Sequence, residues 1–440
     1  MNSEESTSPA ATAVPVGPAT VGADVRDGRT IVSAVLSAYR GPVAVRLWDG
    51  SLAVGWQDAP CTVFFRDSAT LCDLVLHRDL MQLAEAHLAG EVDIEGDPEV
   101  LFDLSAYLEN LRIPWSTRLR LMRCALHLSG DGYRRVLRHR RVAESRRVNS
   151  AATIAYHYDV GNDFYGLWLD PEYVYSCAYF RDPAQPLAEA QRDKLDYICR
   201  KLRLTPGQRL LDIGCGWGAL ALWAARHYGA RVHGITLSAE QQKRATERVQ
   251  QEGLGDQVEI ELLDYRDLQG DERYDCIASV GMFEHVGVRN FPTYFGVVRR
   301  LLKPGGLFLN HGITSEAGWR RTPLTRFMNQ YIFPDGELAR IGDVVGAMER
   351  QGFEILDLES LRPHYPLTLR HWLRALCARR DAVIAVSSEV TYRLWRLYMA
   401  GSAYFFEQGS IGVYQILAGR AHGCPSVPLR RDDLYCAREH

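Results

Sequence analysis

A glycine-rich loop between a buried strand and a helix constrains the fold of this chain most strongly. The loop follows the apolar segment Arg209–Ile213 and carries Gly214, Gly216 and Gly218 before a helical segment that starts at Ala219. Glycine at such a junction lets the backbone turn tightly and approach a ligand without a Cβ in the way. The segment therefore predicts a nucleotide-binding turn at the carboxyl edge of a parallel sheet.

Strands and helices alternate after this loop. One of the helices begins with a capping-box pattern, in which Ser238 is followed three residues later by Gln241. Since strands alternate with helices, we predict an α/β fold with a doubly wound, mostly parallel sheet. The later strands are predicted at Arg231–Ile235, Val258–Leu262, Tyr274–Val280 and Leu307–His311.

The residues around the loop distinguish between two nucleotide ligands. A dinucleotide site usually has an acidic residue at the end of the second strand, where this chain has Thr236. Here Asp212 precedes the glycines, Asp264–Asp267 follows the third strand, and Lys303–Gly306 leads into the fifth. This pattern is typical of class I methyltransferases with a seven-stranded sheet, and it predicts an S-adenosylmethionine site. The candidate cofactor-binding residues are Tyr175, Ser176, Asp212, Gly214, Gly216, Gly218, Thr236, Leu237, Gln241, Asp264 and Tyr265.

Composition and charge argue against several other classes. The net charge of −3 does not suit a nucleic-acid binder, so we expect no nucleic-acid partner. The ten cysteines form no CxxC pair, which favours a reducing cytoplasm and suggests no metal site. The chain has no apolar run of about 18 residues and no secretory leader. We therefore expect a cytoplasmic protein that contacts the inner membrane leaflet only peripherally.

Changes in composition suggest five segments. We predict a disordered leader at 1–25, a small α+β accessory domain at 26–111, a basic linker at 112–149, the catalytic domain at 150–422 and a tail at 423–440. Within the accessory domain we predict helices at Ile31–Tyr39 and Leu80–Ala89, strands at Val43–Trp48 and Cys61–Phe65, and an acidic turn region at Gly90–Asp97.

The basic linker allows three interpretations. It holds eleven arginines between Arg112 and Arg147, interleaved with apolar residues such as Leu119 and Met122. It could be a solvated linker with helical stretches. It could also lie on anionic lipid, where each basic residue contributes roughly 1 kcal/mol. Nucleic acid is the weakest of the three because no readout motif accompanies the arginines.

Four longer motifs resemble one enzyme family. They are Tyr156–Tyr165 (YHYDVGNDFY), Tyr175–Phe180 (YSCAYF), Gly281–Gly287 (GMFEHVG) and Tyr331–Gly336 (YIFPDG). In this order they resemble the cyclopropane-fatty-acyl-phospholipid synthases and the related mycolic acid methyltransferases, over roughly 150–420. The N-terminal part is similar, more weakly, to the accessory domain of the bacterial phospholipid enzymes, which implies lipid binding and a possible homodimer.

The resemblance implies an unusual reaction. A cis double bond in an acyl chain of a membrane phospholipid attacks the sulfonium methyl group, which gives a carbocation. Loss of a proton from the new methyl group closes a cyclopropane ring, and the family uses bound bicarbonate as the base. By position in the motifs, the bicarbonate cage would be Glu284, His311, Cys177, Tyr365 and Ile313. Ser402 stands where the family has a cysteine once regarded as catalytic.

A carbocation needs a dry site, and aromatic faces can stabilise it without reacting. The aromatic candidates are Tyr156, Tyr158, Phe180, Tyr331, Phe333, Tyr404 and Phe405. Four alternatives stay open at this point. The cation could lose a different proton and give a methyl- or methylene-branched chain, the chain could methylate a small amine, it could be a non-catalytic lipid carrier, or Cys177 could act as a nucleophile, although no His–Asp pair adjoins it.

Overall fold

The computed structural model describes residues 22–77, 79–128, 161–316, 323–332, 337–422 and 427–435. The N-terminal unit is a four-stranded sheet covered by helices, with the strand order β2-β1-β3-β4. Strand β3 runs parallel to β1 and antiparallel to β4. The elements are α1 (Ala23–Val35), β1 (Val43–Arg46), β2 (Leu52–Val54), β3 (Cys61–Phe65), α2 (Ser68–His77), α3 (Leu80–Ala89), β4 (Val92–Gly96), α4 (Leu101–Asn110) and α5 (Trp115–Leu128).

Several features of this unit differ from the sequence prediction. Strand β1 ends at Arg46, two residues before the predicted end at Trp48. Helix α1 begins at Ala23, inside the predicted leader, and ends at Val35, short of Tyr39. The region predicted as an acidic turn contains strand β4, in which Val92 and Ile94 are buried while Glu95 extends to an ion pair with Arg46. The acidic residues thus follow the two-residue alternation of a half-buried strand.

The first part of the predicted basic linker is also folded. Helix α5 packs on the N-terminal unit through Leu121, Ala125 and Leu128, which are buried at helical spacing. The remaining arginines of the segment, from Arg134 to Arg147, lie outside the described residues.

The second unit has a seven-stranded sheet in the order β10-β11-β9-β8-β5-β6-β7. Its strands are β5 (Arg209–Ile213), β6 (Arg231–Thr236), β7 (Val258–Leu262), β8 (Tyr274–Val280), β9 (Leu302–Ser315), β10 (Phe353–Ser360) and β11 (Ile411–Arg420). Its helices are α6 (Asn162–Gly166), α7 (Leu187–Lys201), α8 (Ala219–Tyr228), α9 (Ala239–Gln251), α10 (Phe291–Leu301), α11 (Pro323–Tyr331), α12 (Ile341–Arg350), α13 (His364–Ala378), α14 (Arg380–Val386), α15 (Glu389–Glu407) and α16 (Asp432–Tyr435).

This sheet confirms the predicted class I methyltransferase fold. Strands β5 to β9 are parallel, and β11 runs antiparallel to both β9 and β10. The central strands β5 and β8 are apolar along most of their length because helices cover both faces. Their carboxyl ends, together with those of β6 and β9, meet at one edge, where open α/β sheets bind ligands.

The two units pack closely against each other. One hydrophobic core extends from Val63 and Leu104 of the N-terminal unit to Trp395 and Met399 of α15. Four charged contacts across the boundary surround it: Arg393–Asp93 at 2.7 Å, Arg370–Glu99 at 2.5 Å, Arg326–Asp79 at 2.9 Å, and Arg396 to the carbonyl of Ile94 at 2.8 Å. No helix among the described residues is long and apolar enough to cross a bilayer.

Candidate active site

A cavity of about 1110 Å³ opens at the carboxyl edge of the large sheet. This exceeds the usual volume of a single small-molecule site, roughly 300–1,000 Å³. All of the predicted cofactor and cage residues line the cavity, except Gly218. The cavity thus brings together residues from 175 to 365 in the sequence, with room for more than one ligand.

The glycine loop forms one wall of this cavity. Gly214 and Gly216 have φ values of +77° and +54°, which side chains with a Cβ rarely adopt. A Cβ on Gly216 would meet no atom within 4 Å, whereas one on Gly214 would lie 3.0 Å from Cγ of Met282. The loop is therefore an open cradle at Gly216, and this fits the approach of a ligand to the backbone.

Gly218 serves a different purpose from the one predicted. It has φ +82° and forms the N-cap of α8, and its missing side chain faces helix α9, with Cβ of Ala245 at 3.2 Å. Gly218 is thus needed for the strand-to-helix turn and for close helix packing, and it does not line the cavity.

Asp212 and Lys194 are both buried beside the loop and interact electrostatically. Burial raises the pKa of Asp212 to about 7, although the nearby Lys194 cation opposes the shift. Lys194 donates to the hydroxyl of Ser176 at 3.0 Å, and burial lowers its pKa to about 8. Sequence analysis missed Lys194. It lies on the apolar face of α7 beside the fully buried Gln191, and two polar residues on such a face were the available signal.

The second and third strands end in polar residues beside the cavity. The hydroxyl of Thr236 donates to Oε1 of Gln241 at 2.8 Å, while Leu237 is 74% exposed. Asp264 accepts from the guanidinium of Arg266 at 2.6 Å, and these hydrogen bonds hold its pKa below the ordinary value. Tyr265 packs edge-on against Tyr294. This side of the cavity offers an exposed apolar surface between a hydroxyl and an ionised carboxylate.

Glu284 lies at the opposite side, in a 3₁₀ turn (Phe283–His285) after β8. Its Oε1 accepts from the backbone N–H of Ile313 at 2.6 Å. Its Oε2 is buried and has no hydrogen-bond partner among the described residues. Burial raises the pKa of Glu284 to about 7. A buried carboxylate oxygen without a partner is costly, so Oε2 is available to a ligand that carries a hydrogen-bond donor.

Gly312 makes this contact possible, and sequence analysis missed it. A Cβ at Gly312 would lie 1.9 Å from a ring carbon of Phe283 and 3.1 Å from Oε1 of Glu284. Only glycine lets the turn press against β9 closely enough for Glu284 to reach the Ile313 amide. The N–H of Ile313 is therefore committed to Glu284 in this structure.

His311 lies on β9 and lines the cavity. The side-chain amide of Gln415 donates to its Nδ1 at 3.2 Å, so the ring carries its proton on Nε2. Burial, together with the Lys194 and Lys201 cations, lowers the pKa of His311 to about 3. His311 is thus a neutral hydrogen-bond donor at physiological pH.

Cys177, Tyr365 and Ser402 complete this side of the cavity. Sγ of Cys177 lies 3.4 Å from the carbonyl of Ala178, and burial raises the pKa of the thiol far above its ordinary value. A nucleophilic thiolate is excluded by this burial. Tyr365 is buried against Phe406, with ring centroids 4.4 Å apart, and its pKa is also raised by burial.

The aromatic residues of the cavity differ from those predicted. Of the candidates, Phe405 lines it. The predictions for Phe180, Tyr331 and Tyr404 were wrong: Phe180 stacks on His364 and His371, Tyr331 donates to Glu85 of the N-terminal unit, and Tyr404 stacks on Phe102. Tyr156, Tyr158 and Phe333 lie outside the described residues. The sequence analysis did not select Tyr165, Tyr173, Trp217, Tyr398 and Phe406, which do line the cavity.

Comparison with known proteins supports the family indicated by the motifs. A family model described as mycolic acid cyclopropane synthetase matches residues 145–416. A probable fatty acid methyltransferase of Pseudomonas putida is 42% identical over 410 residues, covering 91% of this chain and 98% of its own. The cyclopropane-fatty-acyl-phospholipid synthase of Escherichia coli (strain K12) is 44% identical over 266 residues, covering 60% and 66% respectively.

Solved structures agree with the fold. Mycolic acid cyclopropane synthase CmaA1, crystallised in complex with SAH and CTAB, is 36% identical and superposes with a TM-score of 0.57. The match covers 61% of this chain and 98% of that protein.

Proposed function

Because this chain belongs to the mycolic acid cyclopropane synthetase family and is an S-adenosylmethionine-dependent methyltransferase that acts on unsaturated lipid chains, we propose that it forms cyclopropane rings on membrane phospholipids. The methylene group would be added across the cis double bond of an acyl chain. The observation that carries the proposal is the unpartnered, buried Oε2 of Glu284 in a cavity of about 1110 Å³. Simple methyl transfer to an amine does not need a buried proton acceptor of this kind.

Adenosylmethionine supplies an electrophilic methyl group. We assign its binding to the cradle at Gly214 and Gly216, with Asp212 below it and Thr236, Gln241 and Asp264 along the nucleoside. The Lys194 cation favours the ionised form of Asp212 against the effect of burial, and the carboxylate would attract a cationic ligand. Positive φ at both glycines and the open space at Gly216 support this assignment.

Bicarbonate supplies a proton acceptor that is not part of the protein. We propose that Oε2 of Glu284 accepts its hydroxyl proton, while Nε2 of His311 and the hydroxyl of Tyr365 hold its oxygens. The neutral, buried state of His311 suits a donor role. Ile313 contributes through Glu284, whose position its amide fixes. A small bound base also avoids placing a reactive side chain beside a carbocation.

The chemistry also requires that water be excluded. Tyr398 and Phe406 are buried, and they line the cavity together with Phe405 and the buried Tyr365. Aromatic faces of this kind stabilise a cation by roughly 0.5–2 kcal/mol or more when desolvated. The replacement of the family cysteine by Ser402 is compatible with this scheme, which uses no thiol at that position.

A branched product is the second candidate. Methyl transfer and cation formation would be the same. The cation would then lose a proton from a chain carbon, which gives a methyl-branched alkene, or undergo a 1,2-hydride shift and lose a proton from the transferred methyl group, which gives an exocyclic methylene group. Two relatives that match 91% and 92% of this chain are named probable fatty acid methyltransferases, and their names support this candidate.

Expression in a bacterial host that lacks cyclopropane lipids tests the proposal. We expect unsaturated phospholipids to gain the mass of one CH₂, and NMR of the purified lipids to show a ring methylene. An alkene or methyl-branch signal instead would favour the second candidate. Lipids of unchanged mass, from cells that contain the folded protein, would contradict both.

We also propose that α5 brings the protein to anionic membranes. Besides its buried side, α5 exposes large apolar side chains at helical spacing, at Trp115 (75%), Leu119 (55%) and Met122 (48%). Arg120 and Arg123 are exposed beside them. An apolar surface bordered by arginines matches the boundary between anionic head groups and acyl chains.

A further inference from the structure

A second cavity, which we call the interdomain pouch, lies between the N-terminal unit and helices α11 and α15. Its volume is about 110 Å³. Apolar side chains form almost all of its walls. From the N-terminal unit they include Val63, Met81, Ala84, Ile94, Leu104 and Leu108, and from the other unit Phe327, Met328, Leu397 and Phe405.

The pouch adjoins the active-site cavity. Met328, Tyr398 and Phe405 line both cavities. Tyr398, Gly401 and Phe405 are three, four and seven residues apart on α15, so they share one face of that helix. This face of α15 therefore borders both cavities, with Phe405 between them.

The pouch depends on a close approach between the two units. A Cβ on Gly401 of α15 would lie 2.6 Å from the ring of Phe102 on α4. Phe102 in turn packs edge-on against Phe405, with ring centroids 5.8 Å apart. The N-terminal unit is thus in direct contact with the aromatic residue that separates the pouch from the active-site cavity.

The chemistry of the walls limits what the pouch can hold. Its buried titratable residues are His87, whose pKa burial lowers to about 4, and Tyr398, whose pKa burial raises to about 12, so both are neutral at physiological pH. Glu109 is exposed and lies at the rim. Among the described residues, no lysine or arginine lines the pouch to balance a phosphate. The apolar walls suit hydrocarbon, and the volume of about 110 Å³ is of the same order as the roughly 150 Å³ of an engineered cavity that binds benzene.

We propose that the interdomain pouch binds the end of the methyl-terminal arm of the acyl chain, which is the part beyond the double bond. This rests on the proposed function, because it places the double bond in the active-site cavity beside Glu284. The arm attached to the head group cannot end in the pouch, since burying an unpaired phosphate costs far more than its hydrocarbon gains. The N-terminal unit thereby limits the length of acyl chain that fits beyond the double bond.

Filling the pouch tests this assignment. Ala84→Leu adds volume to its wall from α3, and Ala89→Leu, at an exposed position of the same helix, is the matched control. The substrates are vesicles of phosphatidylglycerol with myristoleoyl, palmitoleoyl or oleoyl chains. These chains have the double bond at the same distance from the carboxyl group and differ only beyond it.

We expect Ala84→Leu to shift the kcat/KM ratio of oleoyl to myristoleoyl chains towards the shorter chain by about tenfold, the effect of a misfitting methylene. Ala89→Leu should keep the wild-type ratio. The opposite change, Leu108→Ala, enlarges the pouch and should favour oleoyl chains. Because the two variants are expected to shift the ratio in opposite directions, the test does not depend on the folding of a single variant.

A comparison of palmitoleoyl with cis-vaccenoyl chains changes only the carboxyl-side arm. The proposal is overturned if the variants change the preference between palmitoleoyl and cis-vaccenoyl chains instead, or if they change neither this preference nor the one between oleoyl and myristoleoyl chains. Equilibrium binding of the same lipids is measured in parallel. If the variants shift the binding preference but no methyl transfer occurs, the pouch assignment is supported and the proposed function is refuted. If methyl transfer occurs but the variants leave the preference unchanged, the proposed function is supported and the pouch assignment is refuted.

Discussion

At the scale of single residues, the two oxygens of Glu284 have different environments. One accepts from the amide of Ile313 at 2.6 Å, and the other is buried without a described partner. The first contact fixes the side chain, and the second oxygen is left to exchange a proton with a ligand. With a pKa raised to about 7, the group can change its protonation state near neutral pH.

Glu284→Gln should therefore lower kcat for methyl transfer to lipid by roughly 10²- to 10⁴-fold, the usual contribution of a positioned acid–base group. The amide keeps the size of the side chain and can still accept from Ile313. Affinity for adenosylmethionine, measured by calorimetry, should stay within a few-fold of wild type. If turnover is unchanged, Glu284 has no part in proton transfer.

Asp212 predicts a pH dependence of cofactor binding. Its pKa in the ligand-free protein is about 7, and adenosylmethionine is cationic at its sulfonium. Because protonation removes the attracting charge, affinity should fall as the pH drops from 8 to 6, by up to about tenfold per unit below the pKa.

Calorimetry at several pH values measures this slope, and two variants serve as controls. Asp212→Asn should bind adenosylmethionine weakly, and its affinity should not depend on pH in this way. Glu284→Gln removes the other carboxyl that titrates near 7 and should keep the pH dependence. An unchanged affinity across the range would show that Asp212 does not interact with the cation.

The residues that the sequence did reveal are those whose type stands out locally. Glycines after a strand, an acid before them and a Glu–His motif after the fourth strand all lie beside the cavity. Lys194 and Gly312 could not be recognised in this way. Their roles depend on Ser176 and Phe283, which are distant in sequence, and on distances that only packing determines.

At the scale of elements, the sequence predicted the bounds correctly where the residues follow a single hydrophobic periodicity. Strand β3 and helix α3 have the predicted bounds. Strand β4 was missed because the acidic residues and flanking glycines of Val92–Gly96 favoured a turn. Helix α5 was assigned to a linker because arginines conceal the spacing of Leu121, Ala125 and Leu128.

The exposed side of α5 predicts a membrane-binding effect. Leu119→Glu combined with Met122→Glu should weaken binding to phosphatidylglycerol vesicles by at least about tenfold, because apolar contact is lost and negative charge is added. Val386→Glu, which changes a similarly exposed residue of α14, is the matched control. Co-sedimentation measures both. If the two variants bind alike, α5 is not a membrane contact.

At the scale of the whole molecule, the N-terminal unit is part of the environment of the active site. Ion pairs such as Arg393–Asp93 hold it against α15, and α15 lines both cavities. Sequence analysis predicted two domains but could not predict this arrangement, because the pairs join residues 247 to 300 positions apart. The homodimer and the cytoplasmic location stay predictions.

The central claim is that the proton leaves from the transferred methyl group and a ring closes. Its most direct measurement uses purified protein, oleoyl phosphatidylglycerol vesicles and adenosylmethionine with a fully deuterated methyl group, followed by mass spectrometry and NMR of the lipid. The account predicts a product that retains two of the three deuterium atoms, both in a ring CD₂ group. A product that retains all three, or that carries the two in an alkene, would contradict it.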